Sequence, residues 1–166
     1  MTQAQRARHL RLVTAPGERG DEARERSVVF CGHCGTRPAA DTESRVCASC
    51  GLGVLLSSGG EIAPQEGDAF VVLDSTLSIC AVSAAAEELL ATREIDAVNR
   101  HLTELLVPAD AEAQGDSNLA VALTWAARGD GELRRVFVRP ANTFGVRVGA
   151  RIGSCNAPRA ALIVFD

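Results

Sequence analysis

Four cysteines near the start of the chain form two matched pairs. The first lies in Cys31-Gly32-His33-Cys34-Gly35 and the second in Cys47-Ala48-Ser49-Cys50-Gly51. Two residues separate the sulfurs of each pair, so both thiolates can reach one ion about 2.3 Å away. The glycine after each pair adopts positive φ at low cost, which lets backbone N–H groups approach the sulfurs. The spacing predicts one zinc site with the ligands Cys31, Cys34, Cys47 and Cys50.

A four-thiolate zinc site is expected to be structural, because it leaves no open coordination position for a substrate. His33 is expected to face solvent and not to ligate. Two disulfides are an alternative, but the chain starts without a secretory signal pattern, which favours a reducing compartment. A Cys-x-x-Cys redox pair leaves the second pair unexplained. Iron would take the same four ligands, so the spacing does not separate the two metals.

The other two cysteines are interpreted by their surroundings. Cys80 lies in an apolar segment, which predicts a buried, inert thiol. Cys155 lies in a Gly-Ser-Cys-Asn stretch that indicates a loop. A disulfide between them would need their Cα atoms within about 7 Å.

The bulk composition restricts the possible classes of protein. The chain has 166 residues, of which 46% are hydrophobic, so it can form one ordinary domain or a small domain beside a medium one. No stretch is long and apolar enough to span a membrane. We therefore expect a cytoplasmic protein without membrane contact.

Charge does not favour a nucleic-acid module. The net charge is −4, and the segment 28–60 is neutral before the metal is counted, with Arg37 and Arg45 against Asp41 and Glu43. Four thiolates and one divalent cation would then add −2, whereas DNA-reading domains are normally basic.

The pattern of small, apolar and charged residues predicts four segments. Residues 1–27 form a flexible arm that contains six arginines, and residues 28–58 form a zinc ribbon. Residues 59–67, next to a Ser-Ser-Gly-Gly run, form a linker. Residues 68–166 form a second domain.

The second domain is predicted to be α+β. Ala69 to Leu73 is a continuous apolar run, typical of a strand buried on both faces, and Leu77 to Val82 is a second strand. Ser83 is a candidate N-cap for a helix, with Glu87 near the capping-box position. A short helical stretch, a longer helix ended by Gly129 and three further strands follow: Leu133 to Arg139, Val146 to Ile152 and Ala160 to Phe165. This order predicts a five-stranded antiparallel sheet with helices on one face.

The second domain resembles the PAS family. Three stretches carry the resemblance: Ala69-Phe70-Val71-Val72-Leu73-Asp74, then Cys80-Ala81-Val82-Ser83-Ala84-Ala85-Ala86-Glu87-Glu88-Leu89-Leu90, and Asn99-Arg100-His101-Leu102-Thr103-Glu104-Leu105-Leu106-Val107-Pro108-Ala109-Asp110. Two positions depart from the family pattern. Ser83 stands where the family often has Asn, and Asn99 stands where it usually has Gly, although Asn also tolerates positive φ.

The second domain is not expected to hold a large cofactor. The Asn-Cys-Arg motif of flavin-binding PAS domains is absent, the long helix carries no histidine, and the chain has no tyrosine. We therefore do not expect heme or flavin. Any pocket is expected to hold something small and apolar, or to be filled by side chains. His101 is expected to be a surface or capping residue, and Trp125 to lie in the core. The residues assigned to this pocket are Leu119, Leu123, Trp125, Val136 and Val148.

What the resemblance implies about function is sensing or partner contact. We expect a non-enzymatic signalling protein that forms a homodimer through the PAS-like domain and contacts an unidentified partner protein through the ribbon. One alternative is a transcriptional regulator that binds DNA or RNA polymerase through ribbon and arm. Another is a thiol or zinc redox sensor using Cys80 and Cys155. The sequence contains no recognisable nucleophile–base pair or phosphate-binding loop, so no enzymatic activity is expected.

Overall fold

The computed structural model describes residues 27–39, 42–109, 119–130, 132–156 and 158–166. Of the predicted arm, only Ser27 falls within these ranges, so that prediction lies outside the described residues. Within these ranges, eight strands form one sheet. They are β1 (Ser27–Cys31), β2 (Leu55–Gly59), β3 (Phe70–Leu73), β4 (Ile79–Val82), β5 (Leu106–Pro108), β6 (Arg134–Pro140), β7 (Val148–Asn156) and β8 (Ala160–Phe165).

The sheet is antiparallel and confirms the α+β prediction. Its main path runs β1-β2-β7-β8-β3-β4, while β6 pairs with β7 and β5 pairs with β6. The five predicted strands correspond to β3, β4, β6, β7 and β8, in the predicted order along the chain. The sheet is larger than predicted, because β1, β2 and β5 extend it. The segment predicted as helical from Asn99 to Val107 divides into a 3₁₀ helix, Leu102–Glu104, and the strand β5.

Short helices cover one face of this sheet. They are α1 (Ala84–Leu90), α2 (Glu94–Ala97) and α3 (Leu119–Ala127). Along β3 and β8, successive side chains point alternately into the core beneath the helices and toward the opposite face. Val71 and Leu73 of β3 and Ile163 of β8 point into this core and meet Leu123 of α3. Among the described residues, no helix is long and apolar enough to cross a membrane.

Local signals in the sequence explain how these helices begin and end. The Ser83 hydroxyl accepts a hydrogen bond from the Ala86 N–H at 3.2 Å, which confirms it as the N-cap of α1. Glu87 does not complete a capping box on α1. Its carboxylate instead accepts from the N–H of Glu94, the first residue of α2. Gly129, with φ of 90°, follows the end of α3 as expected.

The opposite face of the sheet is covered in part by apolar side chains of the N-terminal segment that carries the four cysteines. We call residues 27–59 the cysteine module. Its Phe30 is fully buried and meets Phe70 of β3 edge to face, with ring centroids 5.8 Å apart. Val72, Leu162 and Val164 of the sheet belong to the same apolar cluster. Both faces of β3 and β8 are therefore buried, which accounts for their continuous apolar sequences.

The cysteine module is continuous with the rest of the sheet. Ser57 and Ser58 of β2 pair with Asn156 and Cys155 at the end of β7. One edge of β7 pairs with β8. The other edge pairs with β6 over the first part of β7 and with β2 at its end.

The segment predicted as a linker, residues 59–67, packs against the sheet. Ile62 is 5% exposed and lies over Gly153, where an added Cβ would come within 3.1 Å of the Ile62 side chain. The Arg151 guanidinium also donates to the carbonyl of Glu61 at 2.9 Å. The Ser-Ser-Gly-Gly composition suggested mobility, but Ser57, Ser58 and Gly59 are strand residues of β2.

Candidate metal centre

Two loops between β1 and β2 bring the four predicted ligands together. The sulfurs of Cys31, Cys34, Cys47 and Cys50 all lie within 4.8 Å of one another. The Cys31–Cys50 and Cys34–Cys47 sulfur pairs are 3.6 and 3.9 Å apart. A tetrahedral ion bound at about 2.3 Å to each sulfur would place the sulfurs about 3.8 Å apart. The donor set and its spacing therefore fit a metal ion.

Both Cys-x-x-Cys loops have the predicted backbone form. Gly35 and Gly51 have φ of 74° and 69°. The N–H of Gly35 donates to the Cys31 carbonyl at 3.0 Å, and that of Gly51 donates to the Cys47 carbonyl at 2.9 Å. Further N–H groups point at the sulfurs, such as that of His33, which lies 3.4 Å from the Cys31 sulfur. These donors stabilise thiolates, the form that binds a metal.

Gly53 is a residue of this site that the sequence analysis missed. A Cβ at this position would come within 2.2 Å of the Cys31 sulfur and 2.9 Å of the His33 backbone nitrogen. Its own N–H lies 3.5 Å from the Cys50 sulfur, and its carbonyl accepts from the Cys47 N–H at 2.8 Å. The second loop can therefore close over the first only with glycine here.

The pKa values of the neighbouring Cys31 and Cys50 thiols are shifted in opposite directions. Burial raises the pKa of the Cys31 thiol to about 12. The N–H groups of Gly53 and Leu52 lower the pKa of Cys50 to about 6. A divalent cation would favour the thiolate at both positions.

His33 connects the first loop to the helical side of the fold. Its Nδ1 lies 3.2 Å from Glu94 Oε2, and its side chain is 20% exposed, so the expectation that it faces solvent is wrong. Its carbonyl accepts from the N–H of Ala84, the first residue of α1, at 3.2 Å. Glu94 also accepts from the Val82 N–H of β4 at 3.0 Å. One residue between two ligands thus contacts both α1 and α2.

The two remaining cysteines depart from expectation in different ways: Cys80 was expected to be buried, and Cys155 was expected in a loop. Cys80 is exposed, because it lies on β4 at the end of the sheet path. Cys155 is fully buried on β7 and not in a loop, and burial raises its pKa to about 12. Both are free thiols. A thiol that is buried and protonated near neutral pH is a poor nucleophile.

The five residues assigned to a ligand pocket differ in burial. Leu119, Leu123 and Val136 are buried in the core beneath the helices, and Val148 packs against that core. Trp125 is 47% exposed, contrary to the expectation that it lies in the core. The Arg134 guanidinium lies 4.4 Å from its ring centroid.

Comparisons with known proteins concern the fold alone. No protein-family model matches the chain, and no curated protein matches it. The chain is similar to the crystal structure of the PAS domain of nitrogen regulation protein NR(II) from Vibrio parahaemolyticus, with 18% identity and a TM-score of 0.44, over 60% of this chain and 88% of that one. It is also similar to the PAS domain of an HTR-like protein from Haloarcula marismortui, with 21% identity and a TM-score of 0.44, over 60% and 84%.

Proposed function

We propose that this chain is a non-enzymatic signalling protein, in which a PAS-like sensing and dimerising domain is joined to a structural zinc module that contacts a partner protein. The observation that carries the proposal is the group of four sulfurs in the cysteine module. One tetrahedral ion would use all four sulfurs of this group, which leaves no position for a reacting group. Function then depends on contact and not on turnover.

The element order supports the PAS-like part of the proposal. Two strands, short helices and three further strands occur in the order that the sequence resemblance implies. The departures do not disturb the backbone. Ser83 caps α1, and Asn99 has φ of 66°, which an asparagine tolerates. His101 caps the 3₁₀ helix, in line with a structural role and not a ligating one.

An apolar patch supports dimerisation through the same domain. Phe137, Phe144 and Val146 are all exposed and lie on the hairpin formed by β6 and β7. Phe144 is 86% exposed, which is unusual for so large an apolar side chain. We propose that this patch, Phe137, Phe144 and Val146, is the contact between two copies.

Dimerisation can be tested by sedimentation equilibrium of the metal-loaded protein. We expect the native chain to sediment as a dimer at micromolar concentration, and Phe144→Ser to weaken the dimer about tenfold or more, because burial of a phenylalanine favours association. Ile95→Ser removes a similarly exposed side chain, 79% accessible, on α2 outside the patch and should leave the dimer intact. A native chain that stays monomeric, or equal effects of the two substitutions, would contradict the proposed contact.

The two alternative functions gain little from the structure. In the described part of the cysteine module the only arginines are Arg37 and Arg45, which gives no basic surface for DNA. A thiol switch between Cys80 and Cys155 would need a sulfur that is fully buried. We therefore retain the signalling proposal.

A further inference from the structure

A cleft of about 320 Å³ lies between the cysteine module and the outer face of the sheet. Its floor consists of Val72 of β3, Ala81 of β4 and Ala160 of β8. Leu52 and Val54, from the loop that follows Cys50, form the facing wall. Small-molecule sites commonly have volumes of roughly 300–1,000 Å³ and mainly apolar linings. The cleft meets both conditions at the lower end of the size range.

The wall residues are apolar and accessible. Leu52 is 73% exposed and Val54 is 51% exposed. Leu56 and Val72, deeper in the cleft, are buried and belong to the apolar cluster between module and sheet. The cleft thus continues the core outward to two apolar side chains, Leu52 and Val54, which the described residues leave largely uncovered. A bound apolar molecule would extend this core.

At the edge of the cleft, Glu94 already has hydrogen-bond partners for both carboxylate oxygens. Glu94 binds the Val82 N–H with one oxygen and lies 3.2 Å from His33 with the other. Neither oxygen needs a ligand to compensate its burial.

The other charged groups at the edge also have partners within the chain. Asp74 Oδ1 accepts from the backbone N–H groups of Thr76 and Ser78 at 2.8 and 3.0 Å. The Arg159 guanidinium donates to the Arg128 carbonyl at 3.2 Å. Asp74 and Glu94 bring two negative charges to this edge against the one positive charge of Arg159. An anionic ligand would therefore lose water without meeting net positive charge, which disfavours its binding.

We propose that this cleft is a binding site for a small, uncharged, apolar molecule, held between the second cysteine loop and the outer face of the sheet. The proposal names the class of ligand for the sensing role proposed above, and it rests on that role. The ligand would lie on the outer face of the sheet, whereas the predicted pocket residues lie beneath the helices on the other face. The ligand would contact Gly53, whose N–H approaches a metal-site sulfur.

The test uses two fluorescent dyes that share the same ring system. N-phenylnaphthylamine is uncharged, and anilinonaphthalenesulfonate carries an added sulfonate. With the metal-loaded full chain, we expect saturable binding of the uncharged dye at one site per chain, and weaker binding of the sulfonate. Leu52→Ser should weaken the uncharged dye about tenfold by removing an apolar contact. Val46→Ser is the matched control, because Val46 is an exposed apolar residue of the same module that does not line the cleft.

Cys80 reports the location of the dye independently. Its thiol is exposed and lines the cleft, whereas Cys155 is buried. The bound dye should slow alkylation of Cys80 by N-ethylmaleimide, measured by mass spectrometry at mildly alkaline pH. Ala81→Leu, which narrows the floor, should restore fast alkylation in the presence of dye. These substitutions lie on accessible or half-buried positions, so the fold should survive them.

Several results would overturn this inference. They are no saturable binding of the uncharged dye, equal effects of Leu52→Ser and Val46→Ser, tighter binding of the sulfonate, or no change in Cys80 alkylation. If the chain self-associates in a way that depends on Leu52 and does not bind the dye, the cleft is an interface between two copies. The proposed small-molecule site would then be wrong. A monomeric chain that binds dye as described would support the cleft while contradicting the proposed dimer contact.

Discussion

Replacing Cys47 by alanine is expected to abolish stoichiometric metal binding and to lower the free energy of unfolding by several kcal/mol. Three thiolates remain, but the Cys47 sulfur lies 3.9 Å from that of Cys34 and forms one corner of the tetrahedron. Structural zinc contributes about 10–16 kcal/mol in isolated zinc-binding peptides, so loss of one ligand has a large effect. Elemental analysis of the purified protein and chemical denaturation measure the two quantities.

Cys80→Ala is the matched control for this substitution. Cys80 is a free, exposed thiol outside the four-sulfur group, so its removal should leave one metal ion per chain and nearly unchanged stability. If Cys47→Ala retained full metal content, or if the native protein purified without a transition metal, the assigned site would be wrong. The element found in the native protein also decides between zinc and iron.

Replacing Phe30 by alanine is expected to cost about 3–5 kcal/mol, the usual range for removing a fully buried phenylalanine. Phe30 is 0% exposed and contacts Phe70 across the interface between module and sheet. The loss combines reduced apolar burial with a cavity in the cluster that also contains Leu56 and Leu162. Denaturant unfolding of the metal-loaded protein, followed by circular dichroism, measures the cost.

Val29→Ala provides the comparison for Phe30→Ala. Val29 is the preceding residue of β1 and is 43% exposed, so its truncation should cost about 0.5 kcal/mol or little more. Similar costs for the two substitutions would mean that the module does not pack on the sheet as described.

The grouping of the four cysteines was the most predictable feature of the chain, because two fixed spacings specify it. Cys31, Cys34, Cys47 and Cys50 meet as expected, and the glycine that follows each pair has positive φ. Gly53 was not predictable from the spacing, since its role arises only when the second loop closes on the Cys31 sulfur. Loop closure is a long-range contact, and local patterns do not report it.

The strand order was predictable, but the covering of the outer face was not. The apolar run in β3 correctly indicated burial on both faces. It did not identify the second cover, because Phe30 and Ile62 lie in segments interpreted as a separate ribbon and a linker. The apolar sequence of a strand indicates that both of its faces are buried, but it does not identify the segments that bury them.

Burial of single residues within strands was the least predictable feature. Cys80 was expected inside and Cys155 in a loop, whereas the structure exposes Cys80 and buries Cys155. Cys80 lies on a terminal strand of the sheet path, and Cys155 lies where β7 meets both β2 and β8. Position in the sheet determines this difference. The apolar neighbours of Cys80 and the polar neighbours of Cys155 gave no information about it.

Hydrogen exchange of the metal-loaded and chelator-stripped protein tests most directly whether the metal holds the cysteine module on the sheet. In the proposed site a metal would organise the loops that join β1 to β2, and β2 pairs with the end of β7. Stripping should therefore accelerate exchange throughout residues 27–59 and at Cys155 and Asn156, while α3 stays protected. Acceleration confined to the loops around the four cysteines, with β1, β2 and the end of β7 unchanged, would contradict the account.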